Sequence, residues 1–162
     1  MANRLSLLAV VSALFIWTGT ASAAPRGKVY TALSVRHADV STAKLTQLAG
    51  GENQLVSELL TLRRDDSQPF ISTRSEKLLL EFAARDEVSA ALEADLRDPE
   101  MAGLARIIAV YIDDVPNPEI RRNLALLAIE RSKRDSAFLP YARGLKGSKD
   151  KAVAEMARKA LN

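Results

Sequence analysis

The chain has 162 residues, of which 48% are hydrophobic and 27% charged, and its formal net charge at neutral pH is +3. A charge this small does not predict the concentrated basic face that a nucleic-acid-binding protein needs. The sequence has no cysteine and a single histidine, which excludes disulfides and a zinc site with the usual set of ligands.

The first 23 residues have the pattern of a cleavable export signal. Arg4 supplies a positive charge, residues 5–17 form an apolar stretch that is short for a membrane span, and Ala21-Ser22-Ala23 is an A-x-A cleavage motif. The alternative, an uncleaved anchor, is disfavoured by the short apolar stretch. Since no cysteine can accept a lipid, we expect a periplasmic or secreted protein with no stable membrane insertion after cleavage.

Residues 24–40 have no single pattern, because Val29 and Leu33 fit a helical face with Arg36 and also fit the alternation of a strand. We expect this segment to be an N-terminal arm that packs on the first helices. From residue 41 to residue 162 the periodicity is helical throughout, which predicts an all-α helical-repeat domain over 41–162.

The first helices of this domain are predicted over 41–49 and 52–64, and Gly50 with its neighbouring glycine ends the first of them. Thr73 is followed three residues later by Glu76, which is the spacing of a capping box. We therefore expect a new helix to begin at Thr73.

Three further residues are expected to cap helices: Asp86, Asp98 and Asn117. The last two are each followed by Pro-Glu, where a proline suits the first helical position and a glutamate suits the positive end of the helix dipole. The apolar, alanine-rich stretches behind them, 101–112 and 120–129, predict helices packed between neighbours.

Helix starts recur at separations of about 30 residues near both ends of this domain, as in stacked pairs of helices. The segment Asn117-Pro118-Glu119-Ile120-Arg121-Arg122-Asn123-Leu124-Ala125 resembles the second helix of a HEAT repeat, and residues 138–161 resemble a complete HEAT-type hairpin, including Pro140 in its first helix. The resemblance implies a short right-handed α-solenoid of stacked helical hairpins whose concave face binds proteins or peptides. The arginine of the pattern is missing after Val153, so the resemblance concerns architecture and no particular protein.

The sequence shows no catalytic motif. His37 lies near Asp39 and Ser41, but neighbours in a short segment do not form a catalytic triad. The carboxylate pairs at 65–66 and 113–114 lie in turns, where helix capping explains them. We therefore expect no enzyme activity, no cofactor and no metal.

Basic side chains are the candidates for binding a partner. Arg63 and Arg64 are expected to lie on a solvated face or to stack on their neighbours, with contact to a partner as the alternative. Polar side chains on the second helix of each hairpin would line the concave face, and these are Arg121, Arg122, Arg158 and Lys159. Such a groove would select an acidic protein segment. For Arg121 the alternative is that it holds neighbouring repeats together.

Two functions remain open from the sequence. The first is a non-catalytic adaptor or scaffold that binds a protein of the cell envelope. The alternative is an inhibitor or immunity-type protein that blocks a partner enzyme. A gene for a toxin or hydrolase next to this one would favour the alternative.

Overall fold

A computed structural model describes residues 27–35, 40–65 and 67–161. The predicted export signal over 1–23 lies outside the described residues, as does His37. All regular structure in the described residues is helical and no strand forms there, which confirms the predicted all-α class. The nine α-helices of the described residues are α1 (Lys28–Ser34), α2 (Thr42–Ala49), α3 (Glu52–Leu62), α4 (Pro69–Leu79), α5 (Asp86–Arg97), α6 (Ala102–Val110), α7 (Pro118–Arg134), α8 (Leu139–Gly144) and α9 (Lys151–Ala160).

The segment predicted as an arm contains the first helix. Val29, Tyr30 and Leu33 of α1 are buried, and the helix contacts α2, α3 and α4. Arg74 of α4 donates hydrogen bonds to the carbonyl oxygens of Leu33 and Val35 at 2.6 and 2.7 Å. A cation therefore satisfies carbonyl groups that the end of α1 leaves without helical partners.

Several predicted helix ends are confirmed. The Oδ1 of Asp98 accepts a hydrogen bond from the backbone N–H two residues later at 2.9 Å, in a short 3-10 turn that leads into α6. The Oδ1 of Asn117 accepts from the first two free N–H groups of α7 at 2.9 and 3.3 Å. Gly50 ends α2 with a φ of +88°, a left-handed conformation that favours glycine.

Two predicted helix starts are wrong. Helix α4 begins at Pro69, so Thr73 lies one turn inside it and donates to the carbonyl of Pro69 at 3.0 Å instead of capping. A proline is favourable at the first helical position because its missing N–H would have no partner there. Asp86 is the first residue of α5 and the cap position is held by Arg85, which still leaves a carboxylate at the positive end of the helix dipole.

Helices pack against two kinds of neighbour. Consecutive helices contact each other, as α3 with α4, α5 with α6 and α7 with α8. Helices also contact the next but one, as α4 with α6, α5 with α7, α6 with α8 and α7 with α9. One cluster of buried apolar side chains extends through the described helices from Val29 to Ala157.

We expect Asn117→Ala to lower the free energy of unfolding by about 0.5–2 kcal/mol, because two N–H groups at the start of α7 lose their acceptor. Urea denaturation measures this. Asn123→Ala alters an exposed residue of the same helix and should cost nothing, since alanine is the better helix former. Equal effects of the two changes would contradict the capping role.

Candidate functional site

The four cations predicted to bind a partner lie on α7 and α9, two helices in contact. Arg121 is only slightly exposed and has four hydrogen bonds inside the protein. Its Nε and Nη2 donate to the carbonyl of Val115 at 2.9 and 2.5 Å, and its Nη1 lies 3.2 Å from Oδ2 of Asp150. Arg121 thus links the loop before α7 to the start of α9, which supports the structural alternative considered for this residue.

The other three predicted cations are exposed. Nε of Arg122 lies 3.7 Å from Oδ2 of Asp150, and Arg158 donates to the carbonyl of Lys146 at 3.1 Å. Lys159 forms an ion pair of 2.8 Å with the glutamate one turn earlier in α9. Exposed ion pairs contribute little to stability, so the contacts of Arg122 and Lys159 are weak ones.

Asp150 is the group on which these contacts converge. It caps α9 by accepting from the N–H of Ala152 at 2.9 Å, and it faces both Arg121 and Arg122. Burial opposes ionisation of this carboxyl, but hydrogen bonds from the N–H groups of Ala152 and Val153 and the two arginine charges outweigh it, so the pKa of Asp150 lies below its ordinary value. Its negative charge is already compensated within the protein.

The turn between α8 and α9 is fastened to the end of α6 by Asp113. Its Oδ1 accepts from the hydroxyl of Ser148 at 2.5 Å and its Oδ2 from the N–H of Lys149 at 2.9 Å. The sequence placed Asp113 among carboxylates explained by capping, whereas its side chain bridges two distant parts of the chain. Each oxygen of this carboxylate accepts one hydrogen bond within the protein.

A groove of about 320 Å³ lies beside this bridge, between α6 and α8. Val110 lines it and is 57% exposed. The expectation that the 101–112 helix is packed between neighbours is therefore wrong on one side. The sequence contains a sign of this exposed side. Gly103, Ile107 and Val110 recur at helical spacing along α6, on a different side of the helix from the buried Leu104 and Ile108.

A second group of charges lies inside the protein. Arg63 is only 4% exposed, so of the positions considered for it the solvated face is wrong, whereas its neighbour Arg64 is 58% exposed. Nη1 of Arg63 donates to Oδ2 of Asp95 in α5 and approaches Oε2 of Glu76 in α4 at 3.5 Å. Arg63 directly follows α3, so this cluster joins three helices.

Arg131 forms a third internal contact. It is buried in α7 and donates to the carbonyl oxygens of Asp95, Leu96, Asp98 and Pro99 at 3.1, 3.2, 2.6 and 3.1 Å. These carbonyls belong to the end of α5 and to the turn that follows it. One guanidinium therefore donates to four carbonyls at and just beyond the helix end, where helical partners run out.

Neither internal cluster brings together enough metal-binding side chains (Asp, Glu, His or Cys) to hold a metal ion. In residues 27–35, 40–65 and 67–161, no three side chains of these types are grouped closely enough to coordinate an ion. Over the same residues, no helix combines the length and apolar character needed to cross a membrane.

Glu76 gives the internal cluster a dependence on pH. Burial raises the pKa of this carboxyl to about 7, against the opposing charges of Arg63 and Arg64, while its ordinary value is 4.5. The folded protein therefore binds this proton more tightly than the unfolded chain. The stabilisation is complete below pH 4.5 and is lost as the pH rises through 7.

We expect Glu76→Gln to raise the free energy of unfolding at pH 8 by about 1–3 kcal/mol and to leave it nearly unchanged at pH 4.5, because the amide keeps the size of the side chain without a buried charge. Urea denaturation at a series of pH values measures the difference. Glu130→Gln alters an exposed carboxylate and is the matched control. An identical pH profile for wild type and Glu76→Gln would contradict the assignment.

Comparison of the chain with protein-family models, with curated proteins and with solved structures finds no significant match.

Proposed function

We propose that this chain is an exported, non-catalytic module that binds another protein, built as a short right-handed α-solenoid of HEAT-like hairpins. The observation that supports this most strongly is the pattern of helix contacts, in which every helix from α3 to α7 meets the next but one. Such contacts are expected when helical hairpins stack with α3, α5, α7 and α9 in one row and α4, α6 and α8 in the other. Stacks of this kind bind proteins along their extended faces.

The last helix supports the same architecture. Val153, Ala154 and Ala157 of α9 are buried, and the opposite side of the helix is exposed and charged. A helix that is apolar on one side and polar on the other is suited to the end of a stack. The resemblance of 117–125 and 138–161 to HEAT repeats agrees with this arrangement.

The proposed partner is an acidic segment of a protein that meets the C-terminal end of the stack. Residues 139–161 carry six Lys and Arg side chains and two carboxylates, a net charge of +4 within a chain whose total is +3. Both carboxylates have cationic partners, Asp150 with Arg121 and Arg122, and Glu155 with Lys159. What remains for a partner is positive charge, which favours carboxylates.

Site-specific photocrosslinking in living cells tests this function. A benzophenone amino acid replaces Asn123 of α7 or Lys151 of α9, both exposed, and replaces Ser57 of α3 as the matched control. We expect discrete protein adducts from positions 123 and 151 and none from position 57. The exported protein recovered from the same cells should begin near Ala24.

Charge reversal separates binding from stability. We expect Arg122→Glu and Arg158→Glu to abolish these adducts while the melting temperature stays within a few degrees of the wild type. A protein that forms no adduct from any exposed position of the described helices would not be a binding module, and an intact Met1 would remove the proposal of export.

A further inference from the structure

The groove between α6 and α8 has an apolar floor that is open to solvent. Val110 is the most exposed of the large apolar side chains in the described residues, and Pro140 and Tyr141 line the groove beside it. Exposed apolar surface in a concave site is characteristic of places where another molecule binds. The volume of about 320 Å³ is at the small end of the range for ligand pockets.

Two glycines border this groove, and the packing of the protein does not explain them. A Cβ atom added to Gly144 or Gly147 would meet nothing within 4 Å, and neither residue has a positive φ. Glycine within a helix is less stable than alanine, so Gly144 at the end of α8 weakens that helix. Its effect on the surface is to leave space in which the main chain of another molecule can approach closely.

The groove is lined by one carboxylate, and arginines lie on the two helices that form it. Asp113 is that carboxylate, and its oxygens accept hydrogen bonds from two neutral donors, the hydroxyl of Ser148 and the N–H of Lys149. Arg143 follows Pro140 by three residues in α8, a spacing that puts both residues on the same side of the helix. Arg143 is exposed and has no carboxylate partner among the described residues. Arg106 lies over the ring of Tyr141 at 5.3 Å.

The cations predicted from the sequence lie around the same turn. Gly147 and Ser148 line the groove, and Arg158 donates to the carbonyl of Lys146, which immediately precedes them. On the other side, Ser148 accepts from the N–H of Asp150 at 3.1 Å, and Asp150 pairs with Arg122. The groove and these two arginines are therefore connected through the same turn.

We propose that this groove holds a large apolar side chain of the partner, and that the residues on either side of that side chain in the partner are acidic. This inference rests on the proposed function and adds the place and the chemistry of the contact. The apolar side chain covers Val110, the partner's main chain passes over Gly144 and Gly147, and the flanking carboxylates meet Arg143 and the cations of the turn. An apolar anchor in a pocket with a charged rim is the arrangement in which a few residues supply most of the binding energy.

A random dodecapeptide library displayed on phage provides the probe. Selection on the purified exported protein should enrich peptides with Asp or Glu on both sides of one Leu, Ile, Phe or Met. A synthetic copy of the most enriched peptide is then titrated by fluorescence anisotropy at two salt concentrations. The affinity should fall as salt is added, because the rim contacts are ionic.

Three variants locate the peptide. Val110→Glu should weaken binding about tenfold or more, since it places a carboxylate on the apolar floor beneath acidic residues. Arg143→Glu should weaken it about threefold to tenfold and reduce its dependence on salt. Leu126→Glu is the matched control, because Leu126 is an apolar residue of α7 that is 45% exposed and does not line the groove, and it should leave the affinity unchanged.

The outcomes separate this inference from the proposed function. Selected peptides without an acidic bias, or full binding to both Val110→Glu and Arg143→Glu, would overturn the groove. If only Leu126→Glu and Arg122→Glu lose binding, the groove is also overturned. The protein would then still be a binding module, but one that binds its partner through α7. If crosslinked adducts form in cells but no peptide is selected, the groove is again excluded as the anchor site and the proposed function stands.

Discussion

Arg63→Met should lower the free energy of unfolding at pH 8 by about 3–5 kcal/mol, the largest effect that we expect from one substitution in this protein. The change leaves Asp95 and Glu76 buried in the junction of α3, α4 and α5 without the cation that lies between them. Arg64 remains 3.8 Å from Asp95, but it is largely exposed and cannot replace the lost hydrogen bonds. Removing one partner of a buried ion pair costs more than the pair itself contributes.

Two comparisons make this result specific. Arg64→Met removes the adjacent arginine, and its cost should stay below about 1 kcal/mol because the group is exposed. Part of the loss caused by Arg63→Met should disappear at pH 4.5, where the carboxylates can take up protons at less cost. Equal losses for the two arginine variants in urea denaturation would mean that the cluster does not hold the three helices together.

Leu124→Ala should lower the free energy of unfolding by about 2–5 kcal/mol through the cavity that it creates. Leu124 is fully buried in α7, and that helix contacts α5, α6, α8 and α9. A void at this position touches several neighbours, which are fixed by their own packing and cannot easily move to fill it.

Leu126→Ala is the matched control for this second change. Leu126 lies two residues further along the same helix and is largely outside the core, so the same truncation should cost less than about 1 kcal/mol. Both values come from thermal or urea unfolding of otherwise identical proteins. Unchanged stability of Leu124→Ala would show that α7 is not packed between neighbours.

The all-α class and several helix ends could be predicted because their causes are local. A cap such as Asn117 or a left-handed glycine such as Gly50 acts within a few residues of itself. The burial of Leu124 follows from the same local periodicity. Features of a fold that depend on such local patterns are the ones that a single sequence can predict.

The internal charges could not be predicted for the opposite reason. Arg63 and Arg64 are adjacent and chemically identical, and only the arrangement of α4 and α5 decides that one is buried and the other exposed. Glu76 has the spacing of a capping box with Thr73. The helix begins one turn before Thr73, however, at Pro69, and Glu76 lies in the helix with its side chain buried. Partners such as Arg63 and Asp95 are 32 residues apart, a distance at which no sequence pattern connects them.

The groove between α6 and α8 could be predicted in part. The apolar residues of α6 continue to Val110, but this pattern does not decide whether Val110 packs against a further helix or is exposed to solvent. The Lys and Arg side chains of 139–161 are visible in the sequence, whereas the internal partners of Asp150 and Asp113 are not. The sequence therefore indicates that this surface is positively charged, whereas the position of the groove depends on how the helices pack.

The contacts of Arg131 have a consequence for how the chain can assemble and be shortened. The four carbonyls at the end of α5 and in the turn after it accept hydrogen bonds from a residue more than thirty positions later in the chain. While the chain is being synthesised, water must serve these carbonyls until α7 has formed and docked. A chain shortened before Arg131 would therefore lose bonds at the end of α5 together with α7 itself.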